Sequence, residues 1–279
     1  MNIAETKDIV SKKLEKSGIV NPSLNAEHII SHILKINRLE LCLYREKVLS
    51  GLEIRKIMRL ADMRACKKPL SWVLKSHNFC GLNVFIKEGV FVPRPETEEL
   101  CEIALKKSMD YHNPLVLDFC AGSGAIGLAI AFKNKASTVY AIEKMKKPYS
   151  VMVRNKNNLN LKNYRCALSS DINFFNIKFD ILVSNPPYIP LNQYDGLPDE
   201  VKSEPKTALF SGKDGLKTIR YIAKNIPKVM KKDGFILIEA GEYYSEDLKK
   251  IFDLPFIKDF EIIKDFNGKD RFIKAVYSD

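Results

Sequence analysis

Leu115-Val116-Leu117-Asp118-Phe119-Cys120-Ala121-Gly122-Ser123-Gly124-Ala125 decides how this chain folds. The apolar run from Leu115 to Phe119 fits a buried strand, and the glycines after it mark a tight turn that opens a helix near Ala125. Glycine in such a turn lets the backbone approach a ligand closely, while the helix amino end offers unpaired N–H groups to polar or negative atoms. The chain is therefore expected to be α/β, with this strand, turn and helix at the head of a ligand-binding sheet.

Working outward, further strands are predicted at Thr138 to Ile142, Tyr164 to Leu168, Phe179 to Ser184, Phe235 to Glu239, Phe260 to Lys264 and Phe272 to Tyr277. Helical stretches separate the first five, which predicts a mainly parallel sheet covered on both faces. No helix fits between the last two, so they are expected to pair antiparallel around Asn267-Gly268. Residues 1–75 read as helices alone: Ile9, Val10 and Leu14 recur at helical spacing, and Gly18 with Pro22 ends that segment. Ile29, Ile30, Ile33 and Leu34 resume the pattern, and Ser50 with Glu53 has the spacing of a capping box. A hairpin connector is expected over 76–95, with arms Phe79 to Ile86 and Gly89 to Val92 around Lys87-Glu88. The catalytic domain is then expected to occupy 96–279.

The second strand of that domain ends at Glu143, about twenty residues beyond the glycine turn, where a carboxylate accepts from both hydroxyls of a ribose. An adenosine-containing cofactor is implied. A dinucleotide turn carries G-x-G-x-x-G, but here Cys120 holds the first place and Gly127 the last. The acid Asp118 precedes the loop, which suits a cationic sulfonium and ammonium and opposes a pyrophosphate. S-adenosylmethionine is the expected cofactor. Asp171, after the third strand, is placed to accept from the adenine amino group, with Ile172 beside it to pack on the ring.

Asn185-Pro186-Pro187-Tyr188 follows the strand that ends at Ser184. Each Pro locks φ and removes a donor, and the residue before it is pushed away from helix, so Asn185 stays at the strand end and the carbonyls stay free to accept. The Asn185 side-chain oxygen and the Pro186 carbonyl together accept both hydrogens of a planar amine, and Tyr188 supplies a face to stack on it. Asn185, Pro186 and Tyr188 are the expected catalytic residues. With Pro187 they are also the expected substrate pocket, a pocket for methylating an NH₂ group. That amine is either an amide or the exocyclic amine of adenine in DNA or RNA, the latter delivered by base flipping. The lack of a base-reading domain counts against adenine.

The 279 residues suffice for one large and one small domain, and the six cysteines have no CxxC spacing, which argues against a zinc site or a disulfide framework. His28 and His32 lie four apart with no third ligand, so no metal is expected. Neither a signal peptide nor an apolar run of membrane-spanning length is present, which leads to an expected cytoplasmic location and no membrane partner. The formal charge is +11, from 45 Lys and Arg against 34 Asp and Glu. The basic residues are dispersed in short pairs and form no Arg-aromatic cluster of the kind that marks a nucleic-acid groove.

Taken together, Gly89-Val90-Phe91-Val92-Pro93-Arg94-Pro95-Glu96-Thr97-Glu98, the Gly122-Ser123-Gly124 loop and Asn185-Pro186-Pro187-Tyr188 resemble the peptide chain release factor glutamine methyltransferases. Glu204-Pro205 with Ala208-Leu209, and Asp265 with Asp270-Arg271, extend the resemblance over roughly residues 20 to 277. It implies a seven-stranded, Rossmann-like class I methyltransferase domain joined by a β-hairpin to a small helical domain that helps hold the release factor. It implies methyl transfer from S-adenosylmethionine to the side-chain nitrogen of the Gln in the release factor's Gly-Gly-Gln motif, leaving S-adenosylhomocysteine. By the family pattern Cys120, Ala121, Gly122, Ser123, Gly124, Glu143, Ile172 and Asn185 line the cofactor, and Asn185 to Tyr188 receive the Gln amide. A ribosomal-protein Gln is the alternative acceptor within the same chemistry, and a monomer is expected. Three positions depart from the pattern: Cys120 stands where Gly is common, Glu143 where Asp is usual, and Tyr244 near a place often held by Gln.

Overall fold

The computed structural model describes residues 1–278; Asp279, the end of the expected catalytic domain, lies outside them. The chain divides into two compact units, Met1–His77 with Pro198–Ser203, and Asn78–Leu197 with the residues from Glu204 onward.

The first unit holds α1 (Ile3–Lys16), α2 (Pro22–Leu34), α3 (Gly51–Ala65) and α4 (Leu70–Leu74). Capping boxes open two of them, Asn2 with Glu5 on α1 and the anticipated Ser50 with Glu53 on α3, so the first-turn N–H groups are satisfied locally. Val10, Leu14, Ile29, Ile30, Ile57 and Ala61 are fully buried between the three longer helices. One cation shares this interior. Arg64 is 5% exposed, and its guanidinium is spent on the Asn25 side chain, the Lys68 carbonyl and the Glu200 carboxylate at 2.8 Å each. Segment 198–203 is thereby fastened to α3.

The second unit opens within a hairpin, β1 (His77–Phe79) and β2 (Leu82–Val84), of which only His77 belongs to the first unit. Its turn is Cys80-Gly81, both at positive φ (48° and 80°), the backbone that fits the twist of two paired strands. A turn forms at the expected Lys87-Glu88, where the Val90 N–H donates to the Lys87 carbonyl at 3.1 Å, but the expected arms beside it are not paired as strands; the Phe85 backbone instead exchanges hydrogen bonds with the Asn155 side chain. Then come α5 (Pro95–Ser108), β3 (Leu115–Phe119), α6 (Ala125–Lys133), β4 (Thr138–Glu143), α7 (Lys146–Asn158), β5 (Tyr164–Leu168) and β6 (Phe179–Ser184). After the short α8 (Asp199–Lys202) and α9 (Lys206–Leu209) follow α10 (Lys217–Val229), β7 (Met230–Glu239), α11 (Ser245–Phe252), β8 (Ile257–Lys264) and β9 (Asp270–Tyr277).

The seven-stranded sheet runs β5-β4-β3-β6-β7-β9-β8, with β5 to β7 parallel and β9 antiparallel to both β7 and β8. Helices cover it through matched apolar stripes: Ile219, Ile222, Ala223, Ile226 and Val229 of α10 recur at helical spacing and are all buried. β7 is longer than its apolar core, because Met230 already pairs with Phe179 across a register shift. The β8–β9 turn is organised by Asp265, which accepts from the N–H groups of Asn267 and Lys269.

The chain winds outward from β3 to β5 and returns to β6, so the order reverses between β3 and β6. A crevice opens at that reversal, outside the carboxyl ends of the strands. The Ser184 hydroxyl donates to the Phe119 carbonyl at 2.5 Å and ties the two strand ends together. The glycine turn and Asn185 therefore leave the sheet side by side.

Candidate active site

A cleft of about 720 Å³ lies at this reversal. Its walls include Cys120, Ala121, Gly122 and Ser123 after β3, Glu143 at the end of β4, Asp171 after β5, and Asn185 and Pro187 after β6. Thr97, Ser211 and Tyr221 are among its other polar lining residues. Gly124, Pro186, Tyr188 and Ile172 stand beside the cleft rather than among its lining residues.

Asp118 is set apart from the lining as well. Its carboxylate is fully buried behind the turn, where one oxygen accepts from the Gly127 N–H at 2.9 Å and the other has no partner. Burial pushes this carboxyl up to about 7, against the pull of the Gly127 bond. Gly127 is required here, since a Cβ would sit 2.8 Å from the Asp118 oxygen and from the Tyr164 ring.

The turn itself bends through Cys120, Gly122 and Gly124 at positive φ, 64°, 58° and 84°. A Cβ on Gly122 would meet open space, whereas one on Gly124 would collide with Tyr164 and Met152. Gly122 thus serves the shape of the turn, and Gly124 the packing of α6. Burial pushes the Cys120 thiol up to about 12, so it is held protonated in the cleft wall.

Glu143 is held by backbone. One carboxylate oxygen accepts from the Gly122 N–H at 2.9 Å and the other from the Met145 N–H at 2.7 Å. Burial raises its pKa while those bonds oppose the rise. Each oxygen keeps a further lone pair for a ligand hydroxyl. Asp171 is exposed and accepts from the Asn173 N–H at 3.0 Å and from the Tyr221 hydroxyl at 3.4 Å. Tyr221 also accepts from the Ile172 N–H at 3.2 Å, which brings to Asp171 and Ile172 a phenol that no sequence motif marks.

Opposite these groups the Asn185 amide donates through Nδ2 to the Thr97 hydroxyl at 2.9 Å. Thr97 donates in turn to Glu239 Oε2 at 2.8 Å, and the Tyr188 hydroxyl donates to Glu239 Oε1 at 3.0 Å. Glu239 is 1% exposed, and burial pushes its carboxyl up to about 7 although both hydroxyl bonds oppose the rise. Burial also lifts the Tyr188 phenol well above its ordinary range, with the Glu239 charge adding to it. Tyr244 donates to the Tyr188 carbonyl at 3.1 Å, so the residue that departs from the family pattern fixes the end of the Asn-Pro-Pro-Tyr segment. Gly215 and Gly241 leave room for it, since a Cβ on either would lie within 3 Å of Tyr244.

The Arg-Pro-Glu-Thr-Glu segment acquires a physical reading residue by residue. Pro95 starts α5, where a missing N–H costs nothing. Arg94 pairs with buried Glu204, which also accepts from the Val92 N–H, and this fastens the start of α5 to the loop after β6. Glu98 accepts from the Cys80 N–H at 3.0 Å and holds the hairpin turn. Thr97 faces Asn185. Thr97 lies in the Gly89-to-Glu98 segment and Glu239 ends an apolar strand run, but neither pattern assigns the residue a part in the site.

A doubly wound sheet with an antiparallel β9, a glycine turn after β3 and Asn-Pro-Pro-Tyr at the switch point defines a class I methyltransferase. The fold is similar to that of a methyltransferase from Pyrococcus furiosus, at 17% identity and a TM-score of 0.52 over 71% of this chain and 89% of that one. Two family models match, the PrmC N-terminal domain over residues 8–74 and the methyltransferase small domain over 86–197. A release factor glutamine methyltransferase of Clostridium botulinum is 36% identical over 94% of this chain and 94% of its own length. That of Fusobacterium nucleatum is 34% identical over 97% of this chain and 78% of its own. The chain belongs to the release factor glutamine methyltransferase family. No helix among the described residues is long and apolar enough to cross a membrane.

Proposed function

We propose that this enzyme methylates the side-chain amide nitrogen of the Gln in the Gly-Gly-Gln motif of peptide chain release factors, with S-adenosylmethionine as donor. The observation that carries this reading is that one cleft holds Glu143 and the glycine turn on one wall and Asn185 on the other. The chain's residues fit the donor: the turn at Gly122 leaves open space where a Cβ would stand, and Glu143 retains lone pairs for ribose hydroxyls. Cys120 to Ser123 would border the donor, Asp171 would face the adenine, and Asp118 would act from behind the turn. When bound, S-adenosylmethionine supplies an electrophilic methyl group on a sulfonium.

An amide nitrogen is a weak nucleophile because its lone pair is delocalised, so orientation is the main contribution of the protein. Asn185 Oδ1 and the Pro186 carbonyl accept the two N–H hydrogens and aim the nitrogen into the cleft. Positioning of this kind is worth up to about 7–11 kcal/mol of barrier. A carbon–sulfur bond breaks as a carbon–nitrogen bond forms, and the N-methylated cationic amide then sheds one proton to water without a strong base. Pro187 walls the amide, Tyr188 stands behind it on Glu239, and the helical unit would hold the rest of the release factor. The matching full-length relatives support this substrate by their names. The test is to incubate the protein with labelled S-adenosylmethionine and release factor, then map the label by mass spectrometry. Label on the Gly-Gly-Gln glutamine is expected; label on a ribosomal protein or on adenine instead would overturn the reading.

A further inference from the structure

Thr97 has one hydroxyl proton, and an ionised carboxylate only accepts. The Thr97 hydroxyl lies 2.8 Å from Glu239 and 2.9 Å from Asn185, so its proton goes to Glu239 and its lone pair is left for Asn185. Only the NH₂ end of the Asn185 amide can meet that lone pair. The amide oxygen is consequently the atom that Asn185 offers to the cleft. The second Glu239 oxygen is filled by the Tyr188 hydroxyl, so no rearrangement within the chain Asn185–Thr97–Glu239–Tyr188 is available while Glu239 is charged.

We propose that ionised Glu239, acting through Thr97, locks the Asn185 amide with its oxygen toward the cleft and so makes the site select an N–H donor. Glu239 is a positioning residue in this scheme, and the inference rests on Asn185 being the acceptor of the substrate amine. Protonation of Glu239 at the oxygen facing Thr97 lets the carboxyl donate to Thr97. The Thr97 proton then turns to Asn185, and the amide is free to rotate its NH₂ end into the cleft, where it opposes a substrate NH₂. The groups that face Glu239 are Glu96 and Thr97 of α5, Tyr188 after β6, and Arg271 of β9 with its partner Asp265. Arg271 favours the charged form and Glu96 opposes it; the carboxyl of Glu239, pushed up to about 7, therefore changes state where enzymes are assayed.

The experiment uses the full chain. The Asn185 side-chain amide resonances, identified by their loss in Asn185→Asp, are followed by nitrogen-15 NMR in wild type and Glu239→Gln. The Gln variant presents one acceptor and one donor in place of two acceptors, so it removes the charge and cannot accept both the Thr97 and the Tyr188 hydroxyl protons at any pH. At pH 8.5 the Asn185 resonances should differ between the two proteins, and only wild type should show a titration step with a midpoint of about 7. Turnover of Glu239→Gln at pH 8.5 should fall toward the roughly 10²–10³-fold loss that accompanies one removed oriented group, with KM for S-adenosylmethionine little changed. Thr97→Val should show the same loss, and Thr97→Ser, which returns the hydroxyl, should recover most of it; this pair answers the question should Glu239→Gln fold poorly. Identical Asn185 resonances in wild type and Glu239→Gln, or full turnover in Thr97→Val, would overturn the proposal. The resonances are read without substrate, so a wild type that leaves release factor unmethylated refutes the proposed substrate and not the lock.

Discussion

The two walls of the cleft are built by different means. On the glycine-turn wall, the carboxylates are held by backbone N–H groups: Gly122 and Met145 on Glu143, and Gly127 on Asp118. On the Asn185 wall, side chains hold side chains, from Asn185 to Thr97 to Glu239 to Tyr188. Backbone donors come with fixed direction once the turn is formed, so that wall is rigid against substitution of its neighbours. Hydroxyls and amides can reverse their sense, so the other wall depends on the charge state of one buried acid.

The largest effects should separate the walls by function. Asn185→Ala removes the acceptor that meets the substrate N–H, and turnover should fall roughly 10²–10³-fold, while calorimetry shows S-adenosylmethionine affinity within a small factor of wild type. Retained turnover would remove Asn185 from its role. Glu143→Ala acts on the opposite wall: a net loss equal to one charge-assisted bond, about 1.5–3 kcal/mol, should weaken cofactor affinity by roughly 10- to 100-fold. A Glu143→Ala protein that binds the cofactor as wild type does would show that the backbone turn alone defines that wall.

The same contrast explains what could be read before the structure. The bonds of the glycine-turn wall join residues 2, 9 and 21 apart in sequence. A strand, a turn and the next strand end contain them, and the pattern Leu115 to Ala125 with Glu143 is visible as a local motif. The Asn185 wall joins residues 88, 142 and 51 apart. No periodicity or spacing brings Thr97 of α5 to Glu239 of β7; only the closed sheet does. Asn185 was legible because two prolines pin it to a strand end, whereas Thr97 was quoted within a motif without a role. The hairpin lies within the expected 76–95, but its pairing is shifted. Flanking apolar runs mark the turn at Lys87-Glu88, whereas the strands pair around Cys80-Gly81, both at positive φ, and a cysteine at such a position gives no warning.

Asp118 offers a test of the rigid wall through stability. Its folded-state carboxyl lies near 7, above the ordinary value of 3.8, because burial disfavours the charge. The folded state therefore binds the proton more tightly than the unfolded one, so this contribution is full below about pH 4 and is lost as pH rises through about 7. Asp118→Asn keeps an oxygen for the Gly127 N–H and cannot ionise. The difference in melting temperature, variant minus wild type, should become more positive by a few degrees between pH 5 and pH 8. A constant difference would mean that Asp118 does not titrate in that range.

Cys120→Gly is expected to do least, because two terms oppose each other. A side chain held at φ 64° costs about 1–2 kcal/mol relative to an ordinary conformation, and glycine removes that strain. Against this, glycine adds freedom to the unfolded chain worth about 0.4–1 kcal/mol, and the thiol's packing on the sheet core is lost. Stability should stay within about 1 kcal/mol of wild type in denaturant unfolding, the remainder of those two terms. Since the turn is held by the Gly122 bond to Glu143 and not by the thiol, cofactor affinity should also be nearly unchanged. A large loss of affinity would show that the Cys120 side chain, and not only the backbone beneath it, shapes the cofactor wall.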